Sequence, residues 1–174
     1  MALPLPVPDE IEEHTLRLVA EQACSTAGCD AAGVTVVWPD GMPLIVGTSL
    51  LGAQLEQAQW DSGDGPGLDA IGQLQVFNVD SLASARAWSL FVQYALTRGI
   101  RSCLAVPIIL RGRALGSLDL YSTEPAAFEG AERVGLHFAS EAAVALSELE
   151  ARQHRLLPLP VTHAEGTGRS HAAS

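Results

Sequence analysis

Apolar and polar positions along this chain follow two periods, and the switches between them mark the elements. Ile11, Thr15, Leu18, Val19, Gln22 and Ala23 recur at helical spacing and predict a helix from Asp9 to about Ala27. Asp9 can cap it, and Glu12 three residues later completes a capping box. Ala32 to Trp38 is valine-rich and reads as a strand; Pro39-Asp-Gly-Met turns the chain, and Pro43 to Ser49 reads as the returning strand. A short helix is expected over Leu51 to Gln59, a third strand over Val76 to Val79, and a helix over Ala85 to Arg98 that Gly99 ends. Ser102 to Leu110 and Ala114 to Tyr121 read as a hairpin around Arg111-Gly112-Arg113. Pro107 cannot donate to a ladder, so it belongs at an edge or a bulge.

The last helix is expected over Phe128 to His154. Glu129 and Glu132 sit in its first turn and Arg152, His154 and Arg155 in its last, an order that suits the helix dipole. Val134, Phe138, Ala142, Ala145 and Leu149 make one stripe with Leu146 beside it, and its alanines suit close packing against another helix. Residues 1–8 form a proline-rich extension, 9–155 the domain, and 156–174 a small, polar tail expected to be disordered. Leu3-Pro-Leu-Pro-Val7 recurs as Leu157-Pro-Leu-Pro-Val161, which reads as two helix-breaking flanks.

Composition narrows the function classes. With 174 residues, 48% of them hydrophobic, the chain can bury a real core. The formal charge is -10, with ten arginines, no lysine and twenty acids, so direct binding to a nucleic-acid backbone is disfavoured. No apolar run approaches a membrane span, and the proline-broken N-terminus lacks the basic start of a signal peptide. A cytoplasmic protein is expected, with its three cysteines as reduced thiols.

Candidate chemistry is sparse. Cys24 and Cys29 lack the second pair that a zinc site needs. Cys103, mid-strand, reads as a small buried hydrophobe. The five histidines are scattered and none is assigned a catalytic role. Gly63-Asp-Gly-Pro-Gly67 superficially suggests a phosphate cradle, but Asp61 and Asp64 oppose phosphate. It reads either as a tight turn entering a short helix at Leu68 or as a lid, with Trp60 as a wall and Asp69 at the helix start. Ser117, Asp119 and Tyr121 share one strand face. A carboxylate there is costly unless paired or lining a pocket, which makes Asp119 the foremost candidate; its alternative is a salt bridge, for example to Arg101. Trp88 and Phe91 read more readily as core.

Four phrases in order, Trp60–Ala70, Val76–Asp80, Gly99–Ile108 and Leu115–Ser122, resemble a GAF sensory domain over about Glu10 to Glu150. They look closest to the GAF domains that precede an RNA-binding ANTAR segment in actinobacterial regulators. The resemblance implies an α/β (α+β) fold: a twisted antiparallel sheet of about five to six strands flanked by helices, with long N- and C-terminal helices packed together. It implies a ligand pocket between the sheet and the segments Trp60–Asp69 and Asp80–Arg98. The candidate ligand-binding set is then Trp60, Asp64, Asp69, Trp88, Tyr94, Cys103, Asp119 and Tyr121. Three departures stand out. Gly-Pro-Gly replaces the relatives' Gly-Pro-Cys, only Phe128 and Glu132 echo the cyclic-nucleotide signature, and no ANTAR segment follows. Some GAF proteins reduce free methionine sulfoxide with a loop cysteine and acids from the hairpin. Here that cysteine falls on Gly67, and of the acids only Asp119 remains, the others falling on Cys103 and Tyr121.

The expectation is therefore a stand-alone, non-enzymatic sensory domain, with no cofactor or metal named. It would bind a small-molecule ligand, a partner regulatory protein, or both, and signal as a homodimer through its terminal-helix bundle. The alternatives are a ligand-free protein–protein interaction scaffold and, ranked below it, an enzyme like the free methionine sulfoxide reductases.

Overall fold

The structure, a computed structural model, describes residues 10–156, with side chains through Arg152. The proline-rich extension, the Asp9 cap and the C-terminal tail with its repeated segment lie outside the described residues. The elements are, in order, α1 (Glu10–Ala27), β1 (Ala31–Val37), β2 (Pro43–Gly47), α2 (Leu50–Ser62), α3 (Pro66–Gln73) and β3 (Phe77–Val79). A 3₁₀ turn (Leu82–Ser84), α4 (Ser89–Thr97), β4 (Ser102–Leu110), β5 (Arg113–Ser122) and α5 (Glu132–Leu156) complete them. The five strands form one antiparallel sheet in the order β2-β1-β5-β4-β3. This is the expected α+β architecture.

Strand alternation divides the molecule into two layers around the sheet. Val34 and Val36 of β1, Leu104, Val106 and Ile108 of β4, and Leu118 and Leu120 of β5 face one way. They pack with Leu16, Ala20 and Ala23 of α1 and Ala139, Ala142, Ala143 and Leu146 of α5. The terminal helices also pack against each other, and the buried alanines allow the close approach. On the other face, Ala31, Cys103 and Tyr121 meet Leu55 of α2, Leu82, and Phe91, Val92 and Ala95 of α4. Pro107 sits where β3 has already ended, since β3 reaches only Ala105, and a register shift follows at Ile108/Ile109. The proline thus lies on a locally free edge beside a bulge, as its missing N–H requires.

Three expectations need correction. The helix expected from Ala85 begins at Ser89, because Ala85 is extended and Trp88 takes a left-handed conformation with φ 59°. Contacts hold that conformation: the Trp88 indole donates to Asp69 Oδ2 at 2.8 Å and packs edge-on against Phe77 at 5.5 Å. The last helix begins at Glu132 rather than Phe128. Phe128 is buried in the α1–α5 core, and its carbonyl accepts from Asn78 Nδ2 at 2.9 Å. The buried stripe of α5 is Ala139, Ala142, Ala143 and Leu146, while Val134, Phe138, Ala145 and Leu149 are half-buried beside it. Finally, Cys24 and Cys29 are not separate thiols but a disulfide, with Cα atoms 4.9 Å apart. Gly28, at φ 74°, folds the chain back so that the N–H groups of Gly28 and Cys29 both donate to the Cys24 carbonyl.

Candidate functional site

The face of the sheet opposite the terminal helices carries an unusual concentration of buried polar groups. Register places Gly33 of β1 beside Asp119 of β5, Thr35 beside Ser117, and Ala105 of β4 on the other side of Asp119. α2 crosses this face. Ser49 caps its start, accepting from the Gly52 N–H at 3.2 Å, and Gly63 ends it at φ 62°. Leu55, Glu56 and Gln59 of α2 are all turned inward and buried. Gly67, at the start of α3, presses directly on Asp119 and Ser117.

The result is a closed network. Tyr121 donates to Glu56 Oε1 at 2.6 Å, and Thr35 Oγ1 donates to Glu56 Oε2 at 2.6 Å. The Gln59 amide nitrogen donates to Asp119 Oδ2 and to the Tyr121 hydroxyl, both at 2.8 Å. The Gln59 carbonyl accepts from the Gly67 N–H at 2.8 Å. Asp119 Oδ1 is buried and has no hydrogen-bond partner. Glycines make the close approach possible: a Cβ at Gly33 would overlap Glu56, one at Gly65 would overlap Gln59, and one at Gly67 would overlap Asp119.

Burial governs the electrostatics. It pushes the Asp119 carboxyl up to about 6 from an ordinary 3.8, opposed by hydrogen bonds of which the one from Gln59 is foremost. Glu56 is raised well above the carboxylate range, first by burial and then by the Asp119 charge. Cys103 and Tyr121 are raised too, burial leading in each case, followed by the two acids. Burial and mutual repulsion thus oppose placing charge on both acids at once. A thiol in the environment of Cys103 stays protonated and unreactive.

Of the residues singled out from the sequence, Cys103, Asp119 and Tyr121 come together here. Arg101 is exposed and no salt bridge to Asp119 forms; Gln59 takes that role. Asp69, in the first turn of α3, and Trp88 form their own pair, and Asp64 accepts from the Leu90 N–H at 3.3 Å. Trp60 is half-buried on α2 and has no side-chain hydrogen bond among the described residues. Tyr94 is half-buried on α4, packed against the Phe91–Tyr121 core with Arg98 stacked on its ring at 4.7 Å, and makes no hydrogen bond to either acid. Glu56, Gln59 and Thr35 were missed. The available signal was helical spacing: Gly52, Leu55, Glu56 and Gln59 fall on one face of α2, so a carboxylate sits in its inward stripe.

Among the described residues no group of three or more histidine, cysteine, aspartate or glutamate side chains could hold a metal ion. No helix there is long and apolar enough to cross a membrane.

Comparison with known proteins agrees with this architecture. A family model described as GAF domain matches residues 12–147. No curated protein matches the chain. Among solved structures, a domain assigned to a two-component sensor histidine kinase protein from Sinorhizobium meliloti 1021 is 16% identical, with TM-score 0.68, covering 84% of this chain and 97% of that one. A type II free methionine-R-sulfoxide reductase from Thermoplasma acidophilum is 18% identical, with TM-score 0.60, covering 80% and 94%. The GAF domain of a phosphoenolpyruvate-protein phosphotransferase from Coxiella burnetii is 19% identical, with TM-score 0.63, covering 82% and 86%. At these identities the likeness is one of fold.

Proposed function

The chain belongs to the GAF domain family, a family of sensory and signalling domains, and from that premise we propose that it is a ligand-responsive signalling domain whose receptor is the Glu56–Gln59–Asp119–Tyr121 cluster. The observation that supports this reading is the burial of two carboxyl groups, one with an unpartnered oxygen, under a glycine-built roof. Burying such groups costs several kcal/mol where apolar side chains would be free of the penalty. Groups retained at that cost beneath closely packed glycines are candidates for recognition.

In the proposed mechanism a small ligand favours one arrangement of the 63–67 loop and α3. β1 and β5 are the physical link onward. Thr35, Ser117 and Asp119 point into the cluster, and Val34, Leu118 and Leu120 on the same strands point into the α1–α5 core. We further propose that α1 and α5 carry the output as a homodimer interface read by a partner regulatory protein. Ile11 and Leu18 on α1 and Leu136 and Val144 on α5 are apolar and exposed there. The reading includes no enzymatic activity. A thiol at position 67 would need its Cβ where Asp119 now sits, and Cys103 is buried with its thiol held protonated.

Native mass spectrometry on protein from its own host, repeated after denaturation, tests the receptor reading. A small mass released on unfolding supports it. A mass-clean protein whose cluster is also unaffected by cell extract overturns it in favour of a ligand-free scaffold. One observation favours that scaffold: Gln59 already bonds Asp119 Oδ2, the Tyr121 hydroxyl and the Gly67 N–H at once.

A further inference from the structure

Resting on the receptor reading above, we propose that the cluster recognises a small ligand through a positively charged N–H donor group, an ammonium or an amidinium. The argument starts from which acceptors are already used. Both Glu56 oxygens are occupied, by Tyr121 and Thr35. Asp119 Oδ2 accepts from Gln59, while its second oxygen, equally buried, accepts nothing. A buried carboxylate oxygen without a donor is an expensive feature, and a ligand that supplies the donor removes the cost.

Charge points the same way. Among the described residues no arginine or histidine donates a hydrogen bond to either carboxyl; Thr35 and Tyr121 serve Glu56, and only the uncharged Gln59, Ser117 and Tyr121 and the second acid, Glu56, bond to Asp119. The cluster holds negative charge and no counter-charge. A carboxylate or phosphate ligand would meet repulsion and leave Oδ1 unmet, whereas a cation answers both deficits.

Gln59 shows where the ligand's donors go. Its amide nitrogen bridges Asp119 Oδ2 and the Tyr121 hydroxyl. An ammonium carries three donors and no acceptor, which matches Oδ1, Oδ2 and the tyrosine oxygen. An amidinium fork spans both carboxylate oxygens. The surrounding wall is compact, with Phe91 packed on Tyr121 at 6.3 Å and Cys103 fully buried. The ligand body beside the cation is therefore small. The cluster is closed, so entry requires the start of α3 to move. There the Gly67 N–H holds Gln59 by one hydrogen bond, and the left-handed Gly63 gives the chain a pivot.

The test uses a shape-matched series on the full chain: acetamidinium, acetamide and acetate. Binding is read from the side-chain amide resonances of Gln59 and by calorimetry, up to tens of millimolar. Acetamidinium should shift Gln59 saturably and bind at least about tenfold tighter than acetamide, with acetate not binding. Asp119→Asn should lose about tenfold or more for acetamidinium, while Asp61→Asn, a surface change of equal charge, should leave it unaltered. Acetamide or acetate binding as tightly as acetamidinium at Gln59 overturns the cation assignment and leaves the receptor reading standing. No saturable shift of Gln59 with any of the three overturns the assignment, and native mass spectrometry then decides the receptor reading separately. The comparison among the three compounds on unaltered protein holds even where a variant folds poorly.

Discussion

Replacing Asp119 by asparagine should stabilise this protein, and the gain should depend on pH. The side chain is fully buried, and its carboxyl is raised from 3.8 to about 6, burial being the leading cause. A folded-state value above the unfolded one means that the fold holds this proton more tightly than the unfolded chain does. The resulting stability is fully present below about pH 3.8 and is lost as pH rises through about 6. At ~1.36 kcal/mol for each tenfold change in proton affinity, the loss amounts to about 3 kcal/mol. An asparagine side chain at this position has the shape of the protonated acid, keeps an oxygen for the Gln59 N–H, and does not ionise. Asp119→Asn should therefore match the parent near pH 3 to 4 and exceed it by about 3 kcal/mol at about pH 8, a melting-point gain of roughly 6–12 °C for a chain of this size. Urea unfolding of both proteins across that range, with the slopes compared, measures it. Groups outside the cluster affect both proteins alike and cancel in the difference, whereas Glu56, which the Asp119 charge helps to raise, titrates lower in the variant. A gap that stays constant with pH, or a variant less stable than the parent at pH 8, would refute the reasoning.

The remaining predictions concern the roof, the terminal helices and the cysteines. Gly67→Ala places a methyl against Asp119 and Ser117 and should cost about 1–3 kcal/mol by urea unfolding; an unchanged midpoint would show that α3 does not press on the cluster. Leu136→Glu with Val144→Glu alters residues that are 48% and 52% exposed, so the monomer should keep its fold while the proposed dimer dissociates in light-scattering measurements; a dimer that persists sinks the α1–α5 interface. Without reductant, maleimide should label no cysteine of the folded protein, and reduction should expose Cys24 and Cys29 only; labelling of Cys103 before unfolding would contradict its burial. Thr35→Val leaves Glu56 Oε2 without its hydroxyl partner and should destabilise by about 1–3 kcal/mol, a loss that Thr35→Ser recovers in part.

Much of the architecture was legible from residue pattern alone. Alternation in β1, β4 and β5 assigned each residue to a sheet face, so Ser117, Asp119 and Tyr121 could be grouped before any packing was known. Pro107 foretold a free edge, and alanines in the last helix foretold close helix packing. Asp119 stood out because a carboxylate among Leu118 and Leu120 has no cheap explanation. These signals are local: each depends on covalent chemistry and on the period of one element.

The partners of Asp119 were a matter for tertiary structure. Gln59 is sixty residues away and Glu56 lies one helical turn before it; helical spacing groups them on one face of α2 but does not say which strand residues that face meets. The disulfide was missed because its closure depends on a left-handed glycine placing Cys24 and Cys29 within reach, and composition says nothing of that geometry. The start of α4 moved because Asp69 and Phe77 hold Trp88 in a conformation that helix propensity opposes. At Trp88 long-range contacts outweighed a local preference worth about 1 kcal/mol. Sequence by itself determined the family, the layers and the presence of a buried acid; only packing decided which groups surround that acid, because burial and hydrogen bonding arise between elements rather than within them.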